Sequence, residues 1–358
     1  MTSGVHAGAA GILPTVMKRR FTSLALFALC CSGCAPEPAS EHIVGRTMGT
    51  TYEATVTRRP DGVQRSDLVA AIDAVLADID RHLSTYDPAS EISQFNSTLS
   101  TDWISVSPGL LDAVLQSQRV SRASDGAFDI TVGPIVKAWG FGSGGADAAD
   151  TPTREQIETL LAATGQDRLE SRADPPALRK AAAELQIDVD GIAPGIAVDR
   201  IAERFEALGI GDYLIELGGE VRARGVNPAG RAWRVAVEAP IAGERRPHAL
   251  LELDGFAVST SGDYRDFRDK AGRRVSHTMD PRTGAPVTHR LTSVTVVHAS
   301  TAMADAFSTA LMVLGPEEGP ALARRLGLAA LFIVRAEDDG PFVEVQTPEF
   351  AAFRRPLP

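Results

Sequence analysis

The sequence predicts an α+β fold, a single bilobal domain of mixed, mainly antiparallel sheets with flanking helices. Short apolar runs of strand length mix with segments of helical periodicity, without the strict strand–helix alternation of a doubly wound parallel sheet. No Pro/Ser-rich linker divides the chain from residue 45 to residue 358. No repeat of 20–50 residues points to a solenoid or propeller.

Arg46 to Val56 alternates loosely and reads as an opening strand. Leu68, Ile72, Val75, Leu76, Ile79 and Leu83 recur at helical spacing, so Ser66 to His82 is expected as an amphipathic helix with Ser66 as N-cap. Pro108 to Arg122 is a second helix, stopped at Asp125-Gly126. Thr153 to Ala163 is a third, with Ile157, Leu160 and Leu161 on one face. Between them, Ser143 to Thr153 is rich in Gly, Ala and Asp and reads as a surface excursion. Leu185 to Val189 is expected as a short strand, and Pro194 to Leu208 as a helix with Pro in its first turn and Gly209 closing it. Tyr213 to Leu217, Trp233 to Glu238, Leu250 to Leu253, Ala257 to Ser259 and Ser293 to His298 are strand-like. Ala302 to Leu314 is a helix stopped by Gly315, and Ala329 to Val334 a last strand.

The chain has 358 residues with 36 Lys+Arg against 46 Asp+Glu, a formal charge of −10. An acidic chain without a basic stripe or interleaved aromatics is a poor nucleic-acid binder. At 6% aromatic residues it also lacks the material for a carbohydrate-stacking surface. The N-terminus suggests where it works. Lys18-Arg19-Arg20 precedes an apolar stretch of eleven residues, Phe21 to Cys31, too short to span a bilayer. Cys31-Ser32-Gly33-Cys34 resembles a bacterial lipobox, although Leu is usual where Cys31 stands. Residues 1–33 are therefore expected as a signal peptide, with Met17 an alternative start, and 34–44 as a linker lipid-anchored at Cys34. The expected location is the periplasmic side of the bacterial envelope, with the lipid as the only membrane contact. All three cysteines (Cys30, Cys31, Cys34) fall in this segment, so the body carries no disulfide, thiolate metal site or Cys nucleophile.

Five polar, Gly-containing clusters interrupt the apolar pattern. Gly45 to Tyr52 reads equally as a strand with a bulge at Gly49. Gly126 to Pro134, followed by Trp139-Gly140-Phe141-Gly142, suggests backbone brought close to a flat ligand, or a tight turn feeding a strand. Asp188 to Gly195 runs a strand end into a helix N-terminus; by its residues alone it reads first as a plain capped helix start, with a site for an anion such as phosphate as the alternative. Neither the dinucleotide nor the P-loop spacing is present. Ser259 to Tyr264 and His277 to Gly284 group a base, a carboxylate and an arginine around a turn, or form a polar hairpin. Asp305 and Thr309 stand at i and i+4, so both oxygens leave one helix face, as ligands of a hard cation such as Mg²⁺ would. Zinc spacings and a G-x-S-x-G elbow are absent.

Together these clusters resemble the FAD:protein FMN transferase family, often called ApbE-like. The matching pieces, in the family's order, are TMGTTY (47–52), STYDPASEISQFN (84–96), DGAFDITVGPIVKAWGFG (125–142), GIAPGIAVDRI (191–201), ELGGEVRARG (216–225), VSTSGDY (258–264), HTMDPRTG (277–284) and MADAFSTAL (303–311). The resemblance implies an α+β enzyme that takes FAD as substrate with Mg²⁺ as cofactor. It would move FMN onto a Thr or Ser hydroxyl of an envelope redox flavoprotein, releasing AMP. It further implies that Met48, Tyr86, Ala127, Phe128, Asp129, Asp188 and Pro194 line the FAD site. Gly191 (through its carbonyl), Asp305 and Thr309 would hold the metal, and His277 would border FAD and assist catalysis.

The chain departs from the family pattern D-[LV]-G-G-[IV]-A-K-G-Y-A-x-D, with Asp190 for the first Gly, Pro194 for the Lys and Ile196 for the Tyr. A Lys at 194 would bring positive charge to the pyrophosphate, and Asp190 adds negative charge there. Two alternatives stand beside transfer: hydrolysis of FAD to FMN and AMP, in which water replaces the acceptor, and a non-catalytic flavin-binding lipoprotein.

Overall fold

Main-chain twist decides the first element. In the computed structural model, which describes residues 40–145, 151–241, 243–244, 246–263, 267–270, 273–337 and 340–357, the expected opening strand is a hairpin. Strands β1 (Glu41–Thr47) and β2 (Thr50–Val56) pair antiparallel across a two-residue turn, where Met48 and Gly49 have φ of 47° and 71°. Two positive φ values in succession match a tight turn to the right-handed twist of its strands, so the expected bulge is a turn. The candidate signal peptide, Met17, Cys34 and part of the 143–153 excursion lie outside the described residues.

Helix α1 (Arg65–Leu83) starts earlier than expected. Gln64, not Ser66, is its cap, and the Asp67 carboxylate accepts the Gln64 N–H at 2.7 Å. Then follow α2 (Glu91–Ser97), β3 (Trp103–Ser105) and α3 (Pro108–Ala123), α3 capped by Ser107 with Pro in its first turn. The Gly126–Pro134 turn feeds no strand; it leads through a 3₁₀ turn into α4 (Gly133–Ala138). Thr153 caps α5 (Arg154–Ala163), and β4 (Leu169–Arg172) and β5 (Ala177–Lys180) form a small sheet with β3.

Leu185 to Val189 is not a strand. The Asn96 side chain clasps Ile187 instead, donating to its carbonyl and accepting its N–H, both at 2.8 Å. The N–H of Asp188 goes to the carbonyl of Ile130. An amide side chain has thus taken the place of a neighbouring strand for these buried backbone groups.

Helix α6 (Ala193–Ala207) is followed by β6 (Tyr213–Leu217), β7 (Glu220–Arg224), β8 (Trp233–Glu238), β9 (Pro247–Leu253) and β10 (Phe256–Gly262). Short hairpins β11 (Phe267–Lys270) with β12 (Arg273–Ser276), and β13 (Met279–Asp280) with β14 (Ala285–Pro286), precede β15 (Leu291–His298). Helix α7 (Thr301–Leu326) breaks at Gly315, where φ is 78°, so the stop expected there is a kink. Strands β16 (Ala329–Arg335), β17 (Phe342–Gln346) and β18 (Arg354–Arg355) end the described chain.

Eight strands form one antiparallel sheet in the order β1-β2-β6-β7-β10-β15-β16-β17. Period-2 alternation sends the two sides of each strand to different cores. In β16, Ala330 and Phe332 pack with Leu311 and Met312 of α7. Leu331 and Ile333 pack with Trp233, Val237, Leu251 and Leu253 of the three-stranded sheet β18-β9-β8. The expected α+β class, with mainly antiparallel sheets and flanking helices, is the one observed.

The placement of α7 matters most for the site. Asp199 of α6 caps its N-terminus: its carboxylate accepts from Ser300 Oγ at 2.7 Å and from the N–H groups of Thr301 and Ala302 at 2.9 and 3.1 Å. Gly195 lets the helices approach, since a Cβ there would stand 2.7 Å from both Ala302 Cα and the Thr301 carbonyl oxygen.

Candidate functional site

Between the hairpin turn of β1–β2, the 126–142 turn, the 188–194 loop, the end of β10 and α7 lies a cleft of about 860 Å³. That volume suits a sizeable organic ligand. All eleven residues expected in the site line it: Met48, Tyr86, Ala127, Phe128, Asp129, Asp188, Gly191, Pro194, His277, Asp305 and Thr309. They come from segments as far apart as 48 and 309, gathered because β2 and β10 are held in one sheet and α7 crosses behind β10.

The left-handed turn carries Met48 to the rim, and Tyr86 stands on the opposite rim with 65% of its surface exposed. Phe128 is buried, and a Cβ at Gly191 would meet its ring at 3.2 Å and Thr309 Oγ1 at 3.7 Å. The loop backbone therefore lies directly against the face of α7 that carries Thr309. The Asp129 carboxylate is engaged by Thr131 N–H (2.8 Å), Thr131 Oγ1 (2.6 Å) and Gln166 N–H (3.0 Å), so it braces the turn that presents Ala127 and Phe128. Pro194 occupies the first turn of α6. His277 sits edge-on to Phe141, ring centres 6.4 Å apart, and the Trp139 indole N–H holds this wall by donating to the Gly284 carbonyl.

Electrostatics give the cleft its character. Five carboxylates line it (Asp129, Asp188, Asp190, Glu220, Asp305), and among the described residues no Lys or Arg does. Burial raises the pKa of every one. Burial and the neighbouring Asp188 push Asp190 up to about 7. Burial, with Glu216 adding repulsion, brings Glu220 to about 7. Asp305 is raised furthest, by burial first and then by Glu220 and Asp190. Its carboxylate accepts a hydrogen bond from the Gly195 N–H, at 3.2 Å to Oδ2.

Buried carboxylates are costly to ionise unless a positive charge stands beside them. Among the described residues no three His, Cys, Asp or Glu side chains converge to cage a metal. The groups brought together here are the Asp305 carboxylate, the Thr309 hydroxyl and the backbone of the Gly191 loop. Magnesium fits such a set, because it commonly takes one or two carboxylates and fills its octahedron with water and substrate phosphate oxygens. Glu220, Ser261 and Phe141 also line the cleft. The motifs that contain them do not by themselves give these three a role. An acid directly after Gly218-Gly219 was the available signal for Glu220.

The fold and cleft define a class of protein: an α+β body with an acidic, enzyme-like pocket of a size that suits a sizeable organic ligand. Residues 48–332 match the model of the ApbE family, and the chain belongs to that family. It is 38% identical over 325 residues to a FAD:protein FMN transferase of Vibrio cholerae, covering 91% of this chain and 96% of the relative. It is 37% identical over 349 residues to the enzyme of that name from Escherichia coli, covering 94% and 98%. Among solved structures it resembles the flavinyl transferase ApbE of Pseudomonas stutzeri with a TM-score of 0.81 and 42% identity, covering 88% and 96% of the two chains. The ApbE protein of Thermotoga maritima, at 26% identity, still gives 0.79, covering 89% and 100%.

Proposed function

We propose that this protein transfers FMN from FAD to a Thr or Ser hydroxyl of an envelope flavoprotein, releasing AMP, in a Mg²⁺-dependent reaction. Membership of the family and relatives named FAD:protein FMN transferase along nearly their whole length support the FAD:protein FMN transfer. The observation that carries the metal requirement is a cleft with five carboxylates and no lining Lys or Arg among the described residues. A pyrophosphate enters such a pocket only if a cation offsets its charge.

Asp305, Thr309 and the Gly191 carbonyl would hold the cation, whose chemistry is to draw charge from the phosphoryl oxygens as it develops. Met48, Tyr86 and Phe128 would border the flavin and adenosine. His277, oriented by Phe141, would accept the proton of the attacking hydroxyl. The hydroxyl oxygen bonds to the FMN phosphorus, the P–O bond to AMP breaks, and the proton rests on the imidazole.

Incubation with FAD and Mg²⁺, with and without an acceptor domain, tests this reading. AMP released only with acceptor supports transfer. AMP released equally without acceptor means hydrolysis, and no AMP means a flavin-binding protein. We further place the protein on the periplasmic side of the envelope, anchored through Cys34. Cys34→Ser should then move it from the membrane to the soluble fraction, and an unchanged distribution would remove the anchor.

A further inference from the structure

We infer that Ser261 and Ser308 are positioning residues that fix the direction of the Thr309 hydroxyl, so that its lone pairs rather than its proton face the cation; this rests on the metal site proposed above. Four oxygens form a chain behind that site. Thr309 Oγ1 is 3.3 Å from Ser261 Oγ, which is 2.8 Å from Ser308 Oγ, which is 2.9 Å from the carbonyl oxygen of Asp305. The chain ends on an atom without a proton, and that decides every proton in it.

Two oxygens at hydrogen-bond distance with no proton between them repel, so Ser308 must donate to the Asp305 carbonyl. Its only proton is then committed, and the contact with Ser261 requires Ser261 as donor. Ser261 has no second proton, so in its contact with Thr309 it accepts. Thr309 is left as a donor toward Ser261 and an acceptor toward the cleft. A serine or threonine hydroxyl otherwise rotates to suit its surroundings, and orientations that aim its proton at the cation are then open to it.

Strand periodicity and the helix build this chain. Ser259 and Ser261 are i and i+2 on β10, both in contact with Ser308 of α7, while Thr260 between them bonds Thr295 of β15. Ser308 is fully buried and Ser261 lines the cleft, so the chain runs from the protein interior to the ligand surface. Ser259, 3.4 Å from Glu220 Oε1 and 3.5 Å from Ser308 Oγ, shares its proton between the two, so Ser308 is the acceptor there as well. Asp305 therefore contributes twice: its carboxylate faces the cation site, and its carbonyl anchors the protons that orient its partner ligand.

Binding of Mn²⁺, which takes the same oxygen donors as Mg²⁺, to the FAD-free protein by electron paramagnetic resonance tests this without reference to activity. Ser261→Ala should weaken Mn²⁺ by about three- to tenfold, the order of one hydrogen bond, and Ser261→Thr, which keeps the hydroxyl, should restore it. In a Thr309→Ala background Ser261→Ala should change the affinity by less than about twofold, because the hydroxyl it orients is gone. Equal weakening in both backgrounds, or none in the parent, overturns the inference. Asp305→Asn distinguishes the two levels. Parent-like Mn²⁺ binding in that variant removes the metal site itself, whereas lost binding there with an unaffected Ser261→Ala variant removes only the orienting chain.

Discussion

The carboxylate of Asp305 accepts a hydrogen bond from the backbone N–H of Gly195, 3.2 Å away, which sets the acidic face of α7 against the first turn of α6. One glycine makes the contact possible. At position 195 any Cβ meets backbone atoms, Ala302 Cα and the Thr301 carbonyl, at 2.7 Å. Gly195→Ala must push the two helices apart, at a cost of about 1–3 kcal/mol by overpacking. Urea unfolding should show that loss, and Mn²⁺ affinity should fall with it as Asp305 recedes from the loop.

Removing the charged ligand should be more severe. Asp305→Ala is expected to abolish AMP release from FAD, and Thr309→Ala to reduce it, since Asp305 is the one charged group among the three proposed ligands. Chromatographic assay of AMP at saturating Mg²⁺ checks both. Full activity of Asp305→Ala in EDTA-treated buffer would refute the assignment.

His277 is separable from binding. The imidazole borders the cleft beside Phe141, and proton acceptance of this kind contributes about 10²–10⁴ in rate. His277→Ala should keep FAD affinity while turnover falls by that order. If calorimetry shows affinity collapsing and turnover at saturation is intact, His277 is a binding residue.

Pro194→Lys tests the departure from the family pattern. The cleft has no lining Lys or Arg among the described residues, so a Lys in the first turn of α6 would add an ammonium group to its wall. A partly exposed charge there contributes about 1–2 kcal/mol against up to about 1 kcal/mol lost with the proline's rigidity. FAD should bind up to about tenfold tighter at low salt, and the gain should shrink as ionic strength rises. Calorimetric titration at two salt concentrations decides it; unchanged or weaker binding at low salt means this loop does not face the pyrophosphate.

Lys180 gives the fold a pH dependence away from the site. Fully buried under α2, it donates to the carbonyls of Thr98 (2.9 Å) and Asn96 (3.4 Å) and stands 4.6 Å above the Phe95 ring. Burial lowers its pKa to about 8, with Glu184 opposing. Below pH 8 the folded and unfolded chains both hold the proton. Between about 8 and the unfolded value of 10.5 the unfolded chain holds it and the folded one releases it, so this group makes stability rise with pH. The rise should be of order 1–3 kcal/mol across that window. Denaturant midpoints of the parent minus those of Lys180→Met, from pH 7 to 10.5, should show it; a flat difference would mean the lysine keeps its proton.

Local signals in the sequence carried much of this structure. Tyr213–Leu217 and Trp233–Glu238 are strands with the expected bounds, α3 starts at Pro108, and α6 starts one residue before Pro194. Such elements depend on neighbours within about four residues, and those are visible in the chain. The ordered motifs also identified the residues that meet in the cleft, because each motif is a short local structure. The tertiary structure decided the partners of polar groups. Asn96 replaces a strand beside Ile187, 91 residues away, and Asp199 caps a helix 102 residues further on. Ser261 meets Ser308 across 47. A hydroxyl or amide has the same local signature wherever its partner lies, so only the packing of β10, α6 and α7 determines which oxygens approach and in which direction their protons point.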